Sequence, residues 1–305
     1  MPDPSASTSA VLHDAVAGFW AGHARDLPWR RPGTTAWGVL VSEAMSQQTP
    51  VARVAPAWVD WMARWPTPAD LAAASGADVL RSWGRLGYPR RALRLKECAA
   101  AIVERHGGEV PHGEDELLAL PGVGPYTAAA VVAFAHRRRA VVLDTNVRRV
   151  LARVVSGVAA PPPGAPTRAE RDLAAALLPA EDHASAGWNA GVMELGALVC
   201  TARSPRCDAC PLAARCAWRR AGYPPDAHAA RRRTQTWEGT DRQARGRVMA
   251  ALRAGEPGTR HTWAELVAAA GGGTSHADPA QAERAVSSLL ADGLLVERGT
   301  GLSLP

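Results

Sequence analysis

The sequence predicts an all-α protein that carries a loop of four cysteines and a small C-terminal domain of winged-helix type. Apolar residues recur at helical spacing over residues 11–216, with almost no alternating strand pattern. Two turn glycines interrupt that pattern within residues 120–127, and the cysteines close it. Residues 240–305 change character, to three short helices and a hairpin. We therefore expect a helical main domain followed by a smaller one.

The chain divides into four regions by composition. Residues 1–10 are polar and are predicted to be disordered, residues 11–216 form the main helical region, and residues 217–239 form a basic linker before the C-terminal domain. No run of about twenty apolar residues occurs, which excludes a membrane span. We expect a monomeric protein of the bacterial cytosol.

The charge balance favours a polyanionic partner. The net charge is +6 and the isoelectric point is near 9.5, as in many proteins that bind nucleic acids. Lys96 is the only lysine, so arginine carries all the other basic charge. Lys96 lies in a helical pattern and is expected to face solvent.

The segment LPGVGPYT, residues 120–127, reverses the chain between two helix-like segments. Its turn residues Gly122, Val123 and Gly124 open the second helix. Backbone amides at such a helix start carry partial positive charge and suit a phosphate group. An ordinary helical hairpin is the alternative.

Four cysteines lie close together in the chain, with the spacing C-x6-C-x2-C-x5-C, at Cys200, Cys207, Cys210 and Cys216. Four thiolates in one loop can close on zinc or on an iron–sulfur cluster, and ligand softness does not choose between them. Disulfides are less suitable because the chain opens without a secretory leader and Cys98 would be left over.

The C-terminal region has clear helix signals. Thr262 and Glu265 form a capping box before an apolar run, and Asp278 followed by Pro279 starts another helix. A short hairpin is expected about residues 299–301. Three helices followed by a hairpin predict a winged helix.

The turn, an aspartate eighteen positions after Tyr126 and the cysteine spacing together resemble the helix-hairpin-helix DNA glycosylases. Cleavage of an N-glycosidic bond needs a carboxylate near the sugar and a proton donor at the base. Asp144 directly precedes a helix, whose dipole favours its charged form, although a plain N-cap would look the same. Glu43 lies in an apolar helix, where burial would raise its pKa; a solvated position is the alternative.

Several motifs narrow the resemblance to the MutY family of adenine glycosylases. The motifs are LPWR (27–30), SEAMSQQT (42–49), RLGYPRRA (85–92), LPGVGPYTA, LDTNVRRVLAR and ELGALVC with its cysteines. The resemblance implies a four-iron four-sulfur cluster and a double-stranded DNA partner that contains an adenine mispaired with 8-oxoguanine or guanine.

The resemblance also implies residue roles. Glu43 would protonate the adenine, Asp144 would stabilise the sugar cation, and Tyr126 and Asn146 would support the site. The resemblance implies that Trp29 and Arg30 line the adenine pocket and that Gln48 and Tyr88 wedge into the duplex at the opposite base. Gln47 and Gln48, at the end of a predicted helix, could fill the gap left by an extruded base, with surface amides as the alternative.

Three alternatives remain. The lyase relative, endonuclease III, carries a lysine where this chain has Tyr126, and a Schiff base requires an amine. A thymine/uracil–guanine mismatch glycosylase is compatible with the tyrosine, and a non-catalytic DNA-binding protein with a structural cluster is the third. Residues 240–305 lack the strand pattern of the Nudix-like domain with which MutY proteins generally read 8-oxoguanine. The sequence therefore predicts a monofunctional adenine glycosylase and leaves recognition of the opposite base open.

Overall fold

The structure is a computed structural model, and it describes residues 6–231, 237–272 and 278–305. In chain order the elements are α1 (Ala6–His23), α2 (Ala36–Ser46), α3 (Val51–Arg64), α4 (Pro68–Ala73), α5 (Gly76–Trp83), α6 (Arg90–His106), α7 (Glu114–Leu118), α8 (Pro125–Phe134), α9 (Thr145–Leu151), α10 (Arg168–Leu177), α11 (Asp182–Leu198), α12 (Ala217–Arg220), α13 (Asp241–Ala254), α14 (Trp263–Gly271), α15 (Pro279–Ala291), β1 (Val296–Arg298) and β2 (Gly301–Ser303). The predicted all-α class is confirmed. Within the described ranges, none of the helices has the length and apolar character needed to cross a membrane.

Helix α1 begins earlier than the sequence predicts. It includes residues 6–10, which were expected to be disordered, and residues 1–5 lie outside the described part of the chain. Residues 6–10 read ASTSA, and this polar composition does not prevent them from extending a helix whose later turns bury Leu12, Val16 and Phe19.

The chain forms two compact units, which differ from the predicted chain-order domains. The first unit comprises residues 1–40, 112–119 and 123–233. The second comprises residues 41–111, 120–122 and 234–305, so it joins the C-terminal region to the early helices. The boundary inside α2 separates Leu40 from Val41.

The core of the first unit lies between α1, α9, α10 and α11. Leu12 and Val16 of α1 pack with Val147 of α9 and Leu195 of α11 in one buried cluster. A Cβ atom on Gly191 would lie 2.5 Å from a methyl carbon of Val16, far inside van der Waals contact. Glycine at this position therefore allows α1 and α11 to approach closely.

The second unit has an aromatic core and a helical C-terminal part. Trp61 packs edge-on against both Trp65 and Trp83, with ring centroids 4.6 and 5.5 Å apart. Helix α4, which the sequence analysis missed, is held by a capping box between Thr67 and Asp70. Its signal was present in the sequence as a threonine followed by Pro68.

The C-terminal part of the second unit has the predicted order of elements. Helices α13, α14 and α15 pack on one another, and β1 pairs antiparallel with β2. The Thr262–Glu265 capping box and the Asp278 cap are both formed. A single bridge joins His261 to Leu302 of β2. Assignment of this part to the winged-helix class stays a prediction.

Candidate functional site

The glycine turn lies between α7 and α8. Gly122 adopts a left-handed backbone with φ of +78°, and a Cβ atom there would come within 3.2 Å of the Cβ of Arg94. Gly124 precedes α8, which begins at Pro125. Conformation and close approach both require glycine at residue 122, as the sequence analysis predicts. The amides of Gly122, Val123 and Gly124 stay a predicted phosphate site.

Asp144 is the N-cap of α9 and is held by two hydrogen bonds. Its Oδ1 accepts from the Val147 amide at 2.6 Å, and its Oδ2 accepts from Asn146 Nδ2 at 2.7 Å. Burial raises the pKa of Asp144, against these hydrogen bonds and the charge of Arg149, which lower it. The residue is therefore a helix cap and a partly desolvated carboxylate at once.

A chain of hydrogen bonds joins Asp144 to the cysteine loop. Arg149 Nη2 donates to Asn146 Oδ1 at 2.8 Å, while its Nε donates to the Cys200 carbonyl at 2.7 Å. Arg149 Nη2 also donates to the Gly196 carbonyl at 2.7 Å. Arg149 therefore fixes the amide that in turn donates to the Asp144 carboxylate.

Asn146 lies against α11 at a second close approach. A Cβ atom on Gly196 would lie 2.7 Å from the Asn146 Cβ. The glycine leaves just enough space for Asn146, and so indirectly sets the position of its amide beside Asp144.

Glu43 lies in α2, within the second unit. It is 9% exposed and is flanked along the helix by Ser42 and Met45, which are 1% and 0% exposed. Glu43 is therefore a buried residue rather than one on a solvated helix face. Its role as a proton donor stays a proposal.

The LPWR segment is anchored by a buried carboxylate that the sequence analysis did not single out. Glu194 of α11 is fully buried and accepts from Arg25 Nε at 2.7 Å and from Arg30 Nη2 at 3.1 Å. Arg30 also covers the ring of Trp20 at 4.8 Å. Arg30 therefore holds the turn that carries Trp29, and its guanidinium is already engaged by protein groups.

Replacement of Glu194 by glutamine is expected to destabilise the fold at neutral pH. Burial raises its pKa, but hydrogen bonds from Arg25 and Arg30 outweigh burial and bring the pKa to about 2, below the ordinary value of 4.5. Because folding lowers this pKa, the ionised carboxylate stabilises the fold fully at pH values above the pKa of the same group in the unfolded chain. This stabilisation is lost as the pH falls toward 2. The shift corresponds to about 3 kcal/mol at pH 7.

Denaturant unfolding of wild type and Glu194→Gln at several pH values checks this expectation. The difference in free energy of unfolding between wild type and variant should shrink as the pH falls from 4.5 to 2. Asp26→Asn is the matched control because it breaks an exposed carboxylate–arginine pair with Arg31 in the same region, and it should change stability little. Equal effects of the two substitutions would contradict the assigned role of Glu194.

The predicted wedge residues lie on two loops of the second unit that one arginine joins. Gln48 and Tyr88 both have left-handed backbones, with φ of +54° and +47°, and both are exposed. The Arg91 guanidinium donates to the carbonyl oxygens of Ala44, Met45, Gln47, Leu86 and Gly87 and to Thr49 Oγ1. Burial lowers the pKa of Arg91 to about 10, still well above neutrality. Arg91 thus positions Gln47, Gln48 and Tyr88 along one basic concavity, which Arg90 and Arg94 also line.

The four cysteines of the loop line one cavity in the first unit, together with Pro205 and Trp218. Arg153 is nearly buried and braces this loop through the carbonyls of Thr201 and Ala202 and through Cys200 Sγ at 3.4 Å. Its guanidinium also covers the Trp218 ring at 4.5 Å. All five cysteines of the chain are free thiols in the structure.

The donor set fits an iron–sulfur cluster. The four thiols of the loop share one cavity, and thiolates are the ligands that hold such clusters. Burial and the neighbouring thiols raise the pKa of Cys210 to about 11, so the bound metals must supply the charge that stabilises four thiolates.

Lys96 does not face solvent freely, which corrects the sequence-based expectation. Its Nζ donates to the Ala72 carbonyl at 2.9 Å. The carbonyl at the end of α4 attracts the ammonium group because the last carbonyls of a helix lack intrahelical partners. The amine of the single lysine is thus tied to a structural contact.

Comparison with known proteins supports this site. Residues 41–173 match the HhH-GPD superfamily of base excision DNA repair proteins, and residues 200–216 match the iron-sulfur binding domain of endonuclease III. The chain is 52% identical to an adenine DNA glycosylase of Mycolicibacterium smegmatis over 92% of each chain. It is also 52% identical to one of Mycobacterium tuberculosis, over 99% of this chain and 96% of the relative. The chain belongs to the adenine DNA glycosylase family.

The solved structure of a thermostable thymine-DNA glycosylase shares the fold of this glycosylase. It has a TM-score of 0.65 and 27% identity, and the match covers 72% of this chain and 100% of that one. The chain is a hydrolytic DNA glycosylase of base excision repair, and DNA is its partner. The predicted iron–sulfur cofactor is confirmed, with Cys200, Cys207, Cys210 and Cys216 at the positions of the four-iron four-sulfur loop.

The sequence analysis missed the arginines that connect this glycosylase's site. Arg149, Arg91 and Arg153 are partly or fully buried, whereas the motifs that contain them predicted helices and a family resemblance but no buried partners for these side chains. The available signal was an arginine at a position where a helix is otherwise apolar, as in NVRRVLARVV. Such an arginine needs buried acceptors.

Proposed function

We propose that this glycosylase removes adenine paired with 8-oxoguanine or guanine in duplex DNA. The observation that carries the proposal is the Asp144 carboxylate, held by the Val147 amide and the Asn146 side chain at the start of α9. A positive charge that develops on a sugar is stabilised by a fixed, partly desolvated carboxylate. The names of the two mycobacterial relatives support adenine as the base.

The reaction divides between two carboxyl groups. Glu43, which is buried in α2, donates a proton to the adenine ring so that the base leaves as a neutral molecule. Asp144 stabilises the sugar cation until water adds to it. Tyr126 and Asn146 support this site, with Asn146 acting through its hydrogen bond to Asp144. The bound cluster organises the loop of residues 200–216 and takes no part in hydrolysis.

Each of the DNA-contact residues has its own proposed role. Trp29 and Arg30 line the adenine pocket, with Arg30 held by Glu194. Gln47 and Gln48 occupy the gap that the extruded base leaves, and Tyr88 enters the duplex at the opposite base. The amides of Gly122, Val123 and Gly124 bind a backbone phosphate. The protein works as a monomer in the bacterial cytosol, beside the DNA that it repairs.

The enzyme is expected to leave an intact abasic strand. Strand cleavage by β-elimination needs a free amine near the sugar, whereas the hairpin offers Tyr126 and the Lys96 amine donates to Ala72. Enzyme incubated with adenine opposite 8-oxoguanine should give strand breaks mainly after alkali. Lys96→Ala should release adenine at the wild-type rate. Breaks without alkali that keep pace with base release, and that disappear in Lys96→Ala, would contradict monofunctional chemistry.

A thymine–guanine mismatch glycosylase is the second candidate, since the thymine-DNA glycosylase structure shares the fold at 27% identity. Parallel single-turnover assays with adenine opposite 8-oxoguanine, adenine opposite guanine, and thymine opposite guanine separate the two. Faster release of thymine than of adenine would overturn the proposed substrate. A Glu43→Gln variant adds a second criterion, because loss of the proton donor should slow release of adenine strongly.

A further inference from the structure

An exposed aromatic side chain of the C-terminal region lies beside the wedge tyrosine, with one arginine between them. Tyr88 is 42% exposed and Trp237 is 51% exposed. The Arg242 guanidinium carbon is 5.5 Å from the centroid of Tyr88 and 5.4 Å from that of Trp237. Arg242 Nη1 also donates to Tyr88 Oη at 2.9 Å. The three side chains form a layered group, which we call the Trp237 platform.

The platform belongs to a packed region of the second unit. Asp292, near the end of α15, accepts from Arg90 at 3.1 Å and also pairs with Arg245 of α13. A Cβ atom on Gly76 would lie 3.1 Å from Pro305, so the last residue of the chain packs against α5. These contacts fix α13, which carries Arg242, on the loop that carries Tyr88.

We propose that Trp237 and Arg242 extend the Tyr88 wedge into a base-stacking site for the DNA strand opposite the extruded adenine. The proposal rests on the proposed function for the position of Tyr88 at the opposite base. Exposed aromatic rings and guanidinium planes are the groups on which unpaired bases stack, and a guanidinium can also pair with a phosphate. The basic concavity of Gln48, Tyr88, Arg90 and Arg94 continues the same surface.

The C-terminal region would then contribute to the opposite-strand site from outside the segments that match the two family models. Trp237 and Arg242 both follow residue 216, where the match to the iron-sulfur binding domain ends. The bases that stack on the platform are the nucleotide paired with adenine and its neighbour, because Tyr88 enters the duplex beside them. Stacking makes no demand on base identity, so the platform supplies affinity and position rather than sequence reading.

Binding can be measured on the full-length chain with bound cluster, in an Asp144→Asn background that does not consume the duplex. The duplex carries adenine opposite 8-oxoguanine, with 2-aminopurine next to the 8-oxoguanine as a fluorescent reporter of stacking. Trp237→Ala and Arg242→Ala should each weaken binding by about tenfold, and Trp237→Ala should raise 2-aminopurine emission in the complex. Trp237→Phe should restore most of the affinity and the quenching, whereas Trp237→Leu should not.

Arg105→Ala is the matched control. It removes the same charge from the same unit, near the far end of α6, about 22 Å along the helix from Arg90. If Trp237→Ala and Arg242→Ala bind like Arg105→Ala and leave the emission unchanged, the platform does not contact DNA and the proposal is wrong. A wild-type enzyme that releases no adenine would overturn the proposed function instead, and that result is scored in the separate excision assay.

Discussion

Replacement of Asp144 by asparagine is expected to lower the rate of adenine release by about a thousandfold or more without lowering the stability of the fold. The variant keeps the shape of the side chain and its ability to cap α9, but it removes the charge that stabilises the sugar cation. Because burial raises the pKa of Asp144, its ionised form is costly at neutral pH.

The effect of Asp144→Asn on the stability of the fold depends on the raised pKa of Asp144. A carboxyl group with a raised folded pKa stabilises the protein below its unfolded pKa, and that contribution is lost as pH rises through the folded value. The asparagine amide nitrogen cannot accept from Asn146 Nδ2, so one hydrogen bond is lost, while the cost of a buried charge at neutral pH is removed. Because these two effects oppose each other, the variant is expected to melt near the wild-type temperature. Wild-type activity should fall on acidification with a midpoint above the ordinary aspartate value of 3.8, as Asp144 becomes protonated.

Single-turnover excision and thermal unfolding, each measured across pH, check this pair of effects. Asp278→Asn is the matched control because Asp278 caps α15 in the same manner and is exposed. It should leave excision unchanged. If Asp144→Asn retained near-normal excision, or unfolded many degrees below wild type, the residue would be a structural cap and the catalytic assignment would be wrong.

Replacement of Arg149 by glutamine is expected to cost about a hundredfold in excision. The guanidinium orients the Asn146 amide toward Asp144 and also satisfies the carbonyls of Gly196 and Cys200. A shorter, neutral side chain cannot reach all of these acceptors. Each buried acceptor that loses its donor costs on the order of 1–3 kcal/mol, so stability should fall as well.

An Arg148→Gln variant separates the loss of excision from the loss of stability. Arg148 is adjacent in the chain, and its side chain donates to Glu170 at 2.7 Å and to the carbonyls of Gly164 and Pro162, away from the Asp144 carboxylate. Both variants should lose stability, whereas only Arg149→Gln should lose excision at a temperature where both remain folded. Iron content and the visible absorbance of the cluster report whether the cysteine loop stays intact. Equal excision by the two variants would mean that Arg149 acts on stability alone.

The sequence predicted features that depend on neighbours in the chain. The cysteine loop, the glycine turn and the Thr262–Glu265 capping box each involve residues close together in the chain. In the structure the four cysteines line one cavity, Gly122 has a left-handed backbone, and the capping box is formed. Asp144 was ambiguous between a cap and a catalytic group, and the structure explains the ambiguity because the carboxylate is a cap whatever else it does.

The missed features depend on side chains that reach across the chain. Arg149 meets Cys200 and Arg91 meets Ala44 over separations of 51 and 47 residues, and Glu194 meets Arg25 over 169. A local sequence pattern does not predict a partner so distant in the chain, because the residues around a helical arginine do not show whether it faces solvent or a buried carbonyl. Helix α1 was missed over residues 6–10 for a related reason, since a polar composition does not reveal how far a packed helix extends.

The two close approaches on α11 limit which inherited variants this enzyme can tolerate. Gly191 admits Val16 and Gly196 admits Asn146, and the two glycines lie five residues apart, on well-separated faces of the helix. A single added methyl group at residue 196 would push directly on Asn146 and shift the amide that holds Asp144, with no change in charge or polarity. Natural variation from glycine to alanine at this position, which appears conservative in an alignment, should therefore weaken repair and raise the mutation rate of its carrier.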